Sequence, residues 1–317
     1  MKKTLFLVLS LITFITTTKA QQKQITLEEI WGGAFRTEGL EVLRSMNNGK
    51  QYTILNVNRS SQGSSIDKYD YKTLEKVETI VSSSNSENIP SFSSYEFSDD
   101  ESKILLATEV ESIFRRSSLG IYYIYDITSK DIIKVSERKI QEPSLSPDNK
   151  QVAYVHENNI FVFDIASKAT KQLTTDGVKN HIINGVTDWV YEEEFAFVKA
   201  FAWNSDGSKI AFLRFDESKV PEFSMDVYGQ ELYQYPYVFK YPKAGEENAK
   251  VSLHMCDMES GTINEIDLGN PHYIPRIQWM NNSNYLSVQT TNRHQNILKL
   301  HVVNAKDNSV SLLLEDS

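Results

Sequence analysis

Three adjacent carboxylates, Glu192, Glu193 and Glu194, stand in the run Asp188-Trp-Val-Tyr-Glu-Glu-Glu-Phe195, among the large apolar side chains of Trp189, Val190, Tyr191, Phe195 and Phe197. Neighbouring acids repel one another and resist losing their water, so a half-buried cluster of them calls for a cation. That cation is a Lys or Arg of the chain, a metal ion, or the ammonium group of a ligand. A complement of opposite sign lies in Phe114-Arg115-Arg116-Ser117-Ser118, where a guanidinium can fork onto a carbonyl or carboxylate. A site for the free end of a peptide needs both signs: carboxylates for the ammonium and an arginine for the first carbonyl beyond it. On these residues alone, a peptide-terminus site, a three-glutamate metal site and an internal ion pair all stay open.

Other chemistry is thinly represented. The sequence has no Gly-x-Ser-x-Gly elbow, no His-Glu-x-x-His and no phosphate loop. Its six histidines (His156, His181, His254, His272, His294 and His301) lack ligand spacing and read as surface or core residues. Asp148 and Asp206 read as turn formers rather than calcium ligands. The expectation is therefore no catalytic set within these residues, no metal and no cofactor.

The chain begins Met1-Lys2-Lys3, runs apolar from Leu5 to Ile15 and reaches a small residue at Ala20. That order describes a secretory signal peptide over residues 1–20, cut after Ala20, with an apolar run too short to span a bilayer. Losing the three lysines of that segment takes the formal charge from −9 to −12. So acidic a surface argues against nucleic acid or anionic lipid as partner. The single Cys256 rules out an internal disulfide. An exported chain of this kind fits a Gram-negative periplasm best.

The elements that must carry the acids are mostly strands, as 16 Tyr, 15 Phe and 4 Trp suggest. A segment over 21–39 is the exception. There Thr26-Leu-Glu-Glu29 has the capping-box pattern and predicts a short helix ending near Gly32-Gly33. From 40 to 317 a two-part repeat takes over. One part, an apolar residue, a polar turn and an apolar strand, recurs from Phe97, Leu145, Trp203 and Trp279. The other, a strand ending in an Asx turn, recurs at Asp70, Asp126, Asp164, Asp257 and Asn304. Such alternation every few tens of residues predicts an all-β fold, a β-propeller of four-stranded blades, about five of them present. The long interval between Asp164 and Asp257 holds two insertions. One is the acidic segment near 180–199, expected to be helical around the glutamates. The other, over 217–249, carries Gln234-Tyr-Pro-Tyr-Val-Phe-Lys-Tyr-Pro242 and predicts an edge strand or projecting arm with a partner surface.

Asp188-Trp-Val-Tyr-Glu-Glu-Glu194 resembles the double-glutamate motif of dipeptidyl peptidase IV and its relatives, a branch of the prolyl oligopeptidase-type serine peptidases. Supporting strings are Phe114-Arg-Arg-Ser117, Tyr122-Tyr-Ile-Tyr-Asp126, Asn184-Gly-Val-Thr187, Val220-Pro221 and Tyr241-Pro-Lys-Ala-Gly245. The resemblance spans the mature chain. It implies an eight-bladed propeller, of which the ring here is incomplete, followed by an α/β-hydrolase domain with a Ser-Asp-His triad. It further implies release of N-terminal X-Pro or X-Ala dipeptides, with Glu193 and Glu194 on the substrate's ammonium and Arg115 on its carbonyl. Glu192 need not touch substrate, and the 217–249 arm corresponds to the family's homodimer contact. The hydrolase domain is absent from these residues, so the chain is expected to be the substrate-recognition part of a longer exopeptidase and not to cut peptides itself. Two rivals remain from other classes: a non-catalytic exported propeller that captures peptide N-termini, and a scaffold whose three glutamates pair with its own cations.

Overall fold

A computed structural model describes residues 24–37, 39, 42–58, 63–85 and 88–317. The segment read as a signal peptide, 1–20, lies outside the described residues. The chain divides into two compact units, 1–42 and 43–317.

In the first unit, helix α1 (Leu27–Trp31) starts where the capping box places it. The Thr26 hydroxyl accepts from Glu29 N, and the Glu29 carboxylate accepts from Thr26 N, each at 3.2 Å. Gly32 closes the helix, its N–H donating to the Glu28 carbonyl at 2.7 Å.

The second unit is built of antiparallel sheets whose strands follow one another in chain order. Blade 1 holds β1 (Leu43–Ser45), β2 (Gln51–Asn58), β3 (Gly63–Asp70) and β4 (Lys76–Ser82). Blade 2 holds β5 (Ser94–Phe97), β6 (Lys103–Ser112), β7 (Ser118–Asp126) and β8 (Ile132–Lys134). Blade 3 holds β9 (Gln141–Leu145), β10 (Gln151–His156), β11 (Asn159–Asp164) and β12 (Thr170–Gln172). Blade 4 is the modified one. Its strands are β13 (Ile182–Asn184), β14 (Phe201–Trp203), β15 (Lys209–Asp216), β18 (Lys250–Asp257) and β19 (Ile263–Ile266). Between β15 and β18 a separate hairpin, β16 (Glu222–Val227) with β17 (Tyr235–Lys240), forms the expected arm. Blade 5 holds β20 (Tyr273–Trp279), β21 (Tyr285–Thr291), β22 (Leu298–Asn304) and β23 (Val310–Asp316). Among the described residues no strand pairs blade 5 with blade 1, so the five blades form part of a propeller rather than a closed ring.

The Asx turns do what their chemistry requires. In blade 2 the Asp126 carboxylate accepts from Thr128 N and Ser129 N, and the Asp126 carbonyl accepts from Lys130 N at 2.9 Å. The residue four places after each Asx is left-handed in all five blades: Leu74, Lys130, Lys168, Gly261 and Asn308, with φ between 58° and 71°. Three of these are neither Gly nor Asn, so the side-chain and backbone hydrogen bonds of the turn hold a conformation that costs about 1 kcal/mol for an ordinary residue. The other half of the repeat also has a fifth copy, Met46-Asn-Asn-Gly-Lys-Gln51, where Gly49 N donates to Met46 O at 3.0 Å. Ser45 stands where the other copies have Phe97, Leu145, Trp203 and Trp279, and that polar lead hid it from the apolar pattern.

Alternate residues of one strand feed two different cores, which is why these strands read as continuous apolar runs. In β6, Ile104 and Leu106 pack toward blade 1 with Ile66, whereas Leu105 packs toward blade 3 with Val152 and Tyr154. In β10, Ala153 and Val155 pack toward blade 4 with Ile210 and Phe212. A strand side chain points to the face opposite its neighbour's, so sheets buried on both faces lose the polar half of the alternation.

Blade 4 makes room for the acidic insertion by breaking its first strand. β14 pairs with the start of β15 and β13 with its end, and residues 185–200 leave the sheet between them. Gly185 is the exit point. Its φ is +80°, and an added Cβ would lie 2.7 Å from Ile160 Cγ1 and 2.9 Å from Cδ1. Gly185→Ala is expected to cost roughly 2–4 kcal/mol, from the left-handed backbone plus overpacking. Gly49→Ala, where φ is +65° but no atom lies within 4 Å, should cost about 1 kcal/mol. Urea unfolding of both variants checks this; equal losses would contradict the packing half of the account.

Candidate functional site

The insertion carries helix α2 (Trp189–Glu194). Asp188 is its N-cap, in extended conformation, with its carboxylate accepting from Tyr191 N at 2.9 Å. Six residues are too few to hold a helix by themselves. Tertiary contacts hold this one at both ends. The fully buried Tyr191 packs at tilted and edge-to-face angles against Phe195, Phe215 and Tyr273, and its hydroxyl accepts from Ile274 N of β20 at 2.9 Å. Burial pushes that phenol well above its usual pKa, so it stays neutral. Arg276, also on β20, donates to the Phe195 carbonyl at 2.9 Å and covers the Phe197 ring. Trp189 packs on Tyr241 just beyond the arm, with ring centroids 4.3 Å apart.

Successive helical residues point about 100° apart, and that divides the three glutamates. Glu192 turns inward and is 1% exposed. One of its carboxylate oxygens accepts from Arg116 N at 2.6 Å and from Ser117 N at 2.9 Å, and its carbonyl accepts from Arg116 Nε at 3.2 Å. Glu193 turns to the side, where Arg115 Nε meets both carboxylate oxygens at 2.9 and 3.2 Å. Glu194 is exposed. The structure thus brings Arg115 and Glu193 together from blades 2 and 4 and leaves Glu194 facing solvent beside them. Glu192 has a different job, holding the two loops together. Arg115 is 71% exposed against 18% for Glu193. An ion pair that open to water is worth at most about 1 kcal/mol and can exchange partners readily.

What the arrangement offers is an acceptor for cations with an adjustable guanidinium at its edge. Among the described residues no group of three or more His, Cys, Asp or Glu is placed to hold a metal ion. Nor is any described helix long and apolar enough to cross a membrane.

Several residues that shape the site carry no sequence signal for it. Arg276, Tyr241 and Tyr273 reach α2 across tens of residues, and no local spacing foretells that. Asp188 and Glu217 were likewise unmarked as a pair. Both are buried carboxyls; burial raises Asp188 to about 6. Burial, then the charge of Asp188, raises Glu217 to about 7, against a smaller opposing pull from Lys240.

These two groups bind protons more tightly in the folded chain than in the unfolded one. Their contribution is most favourable below the ordinary carboxyl range and is lost as pH rises through about 6 and 7. Glu217→Gln should therefore remove part of the fall in stability between pH 5 and 8, on the order of 3 kcal/mol. Chemical unfolding at a series of pH values measures it. A fall just as steep in the variant would show that Glu217 is not the group responsible.

Comparison with known proteins gives the family of the chain. The family model for the dipeptidyl peptidase IV (DPP IV) N-terminal region matches residues 98–317. A probable dipeptidyl-aminopeptidase B of Pyrenophora teres f. teres is 29% identical over 322 residues, covering 90% of this chain and 35% of the relative. That of Phaeosphaeria nodorum is 30% identical over 336 residues, covering 95% and 36%. The crystal structure of Porphyromonas gingivalis dipeptidyl peptidase 4 superposes with a TM-score of 0.85 at 38% identity, covering 93% of this chain and 42% of that one. A putative dipeptidyl aminopeptidase IV from Bacteroides ovatus shares the fold, with a TM-score of 0.63 at 20% identity. The chain spans about a third of the length of the curated relatives it matches. With a five-bladed partial propeller, a glutamate helix locked to an arginine loop and a family match over most of its length, this chain belongs to the dipeptidyl peptidase IV N-terminal-region family.

Proposed function

We propose that this chain is the substrate-recognition part of an exported serine-type dipeptidyl peptidase that releases X-Pro and X-Ala dipeptides from free N-termini. The observation that carries the reading is the Arg115–Glu193 pair beside the exposed Glu194, on a helix fixed to its surroundings by Glu192. Glu193 and Glu194 take the substrate's ammonium, and Arg115 takes the first carbonyl. Cleavage belongs to residues outside this chain, and the distance from the ammonium to the nucleophile there sets the two-residue product. The relatives, probable dipeptidyl-aminopeptidases B, support a dipeptide-releasing activity. The charged, apolar and small-residue order of 1–20 supports export, to a periplasm in a Gram-negative cell.

The arm supports a second part of the reading, a homodimer through 217–249. Its tip exposes Tyr228, Leu232, Tyr233 and Tyr235, a set of large apolar side chains of the kind interfaces bury.

Calorimetric titration of the chain with the tripeptide Ala-Pro-Ala, free and N-acetylated, tests the recognition role. The free amine should bind and the acetylated form should not. Glu193→Gln or Glu194→Gln should each weaken binding by about ten- to a hundredfold, the worth of one charge-assisted hydrogen bond. Equal binding of both peptide forms would overturn the assignment. In the longer enzyme the same variants should lower kcat/KM for free-amine substrates by a similar factor.

A further inference from the structure

A cleft of about 800 Å³ opens beside helix α2, and neither Arg115, Glu193 nor Glu194 lines it. The volume is that of a small-molecule site. Its apolar walls include Phe114 from the arginine loop, Trp189 from α2 and Phe239 from the arm, and Phe114 and Phe239 touch each other with ring centroids 5.7 Å apart. The charged groups that face it are Glu157, Lys179, Asp188, Glu192, Glu217 and Lys240.

Taking these in turn leaves one unexplained. Glu157 is exposed beside His156 at 3.8 Å, and Lys179 is exposed with its ammonium over the Tyr237 ring at 5.6 Å. One oxygen of Glu192 accepts from Arg116 N and Ser117 N, and one oxygen of Asp188 accepts from Tyr191 N. Lys240 is itself mostly buried, and its ammonium is bound to the Val220 carbonyl at 2.8 Å, with Glu222 at 3.6 Å. Glu217 is different. It is 6% exposed and lines the cleft, yet among the described residues no hydrogen bond or ion pair reaches its carboxylate. A buried carboxylate without a partner is costly, and most such groups are paired or hydrogen-bonded. A ligand cation suits this carboxylate, since the Lys240 ammonium is bonded to the Val220 carbonyl and Asp188 adds negative charge. Aromatic walls favour the same sign of ligand through their π faces.

We propose that this cleft is a second cation site, separate from Glu193 and Glu194. It takes a small organic cation, with an ammonium or amidinium group on Glu217 and a flat apolar body against Phe114, Trp189 and Phe239. Because the walls come from the arginine loop, the glutamate helix and the arm, an occupant touches all three elements at once.

Benzamidine is a suitable probe, with benzamide as its neutral isostere. Benzamidine should bind saturably in calorimetry, and benzamide at least about tenfold more weakly. Glu217→Gln should weaken benzamidine by at least about tenfold, whereas Glu193→Gln leaves the Glu217-dependent binding in place. The glutamine variant keeps the shape and removes only an unpaired charge, so it should fold; circular dichroism of the variant verifies that. Affinity for benzamidine should rise from pH 6 to pH 8 as Glu217 ionises, and saturating Ala-Pro-Ala should leave it unchanged. Benzamide binding as tightly as benzamidine, or loss of benzamidine binding in Glu193→Gln but not in Glu217→Gln, would overturn the second site. Neither outcome bears on whether Ala-Pro-Ala itself is recognised by its amine, which the acetylation comparison decides separately.

Discussion

The buried carboxylate of Glu192 is the constraint on which the site depends. It draws the backbone N–H groups of Arg116 and Ser117 onto one oxygen, joining segments 75 and 76 residues apart. Charge-assisted bonds of this sort are roughly twice as strong as neutral ones, and removing the acceptor would leave two amides unpaired. The geometric consequence matters as much as the energy. With Glu192 pinned inward, the pitch of the helix fixes where Glu193 and Glu194 point. With Arg116 and Ser117 pinned by the same atom, the preceding Arg115 must stand next to Glu193. One carboxylate therefore sets both signs of charge in the site.

The rest of the chain keeps that joint in place. Propeller blades supply rigid, doubly buried sheets whose loops come close together although they are far apart in sequence. Breaking the first strand of blade 4 lets the insertion leave between β13 and β14 while β15 remains paired on both sides. Tyr191 and Arg276 then fasten α2 to blade 5, so the short helix is held from two sides. The working groups, by contrast, are left loose. Arg115 is mostly in water, so its pair with Glu193 adds little to stability.

Local chemistry was legible in the sequence, and contact over distance was not. The Asx turns could be read because Asp and Asn bond their own backbone two or three residues on, and that needs nothing beyond a few adjacent positions. The blade count followed from them. The acidic run 192–194 and the arginine pair 115–116 stood out by charge and company, whereas the choice of Glu193, Glu194 and Arg115 among them came from the family resemblance. The left-handed Leu74, Lys130 and Lys168 could not be read, because their conformation is imposed by the turn and not by their own side chains. The first blade's opening hairpin was missed because the polar Ser45, not an apolar residue, leads it. The inward role of Glu192, the fastening by Arg276 and the isolation of Glu217 all depend on partners brought in by the closing of blades against one another. No spacing along the chain encodes them.

A crystal structure of the chain with Ala-Pro-Ala bound would test the central claim most directly. The account predicts the peptide's ammonium nitrogen about 3 Å from carboxylate oxygens of both Glu193 and Glu194. Arg115 should then have moved its guanidinium from Glu193 toward the first carbonyl, with Glu192 still holding Arg116 N and Ser117 N. A peptide bound through its carboxylate to Arg115, or with its ammonium away from both glutamates, would contradict it.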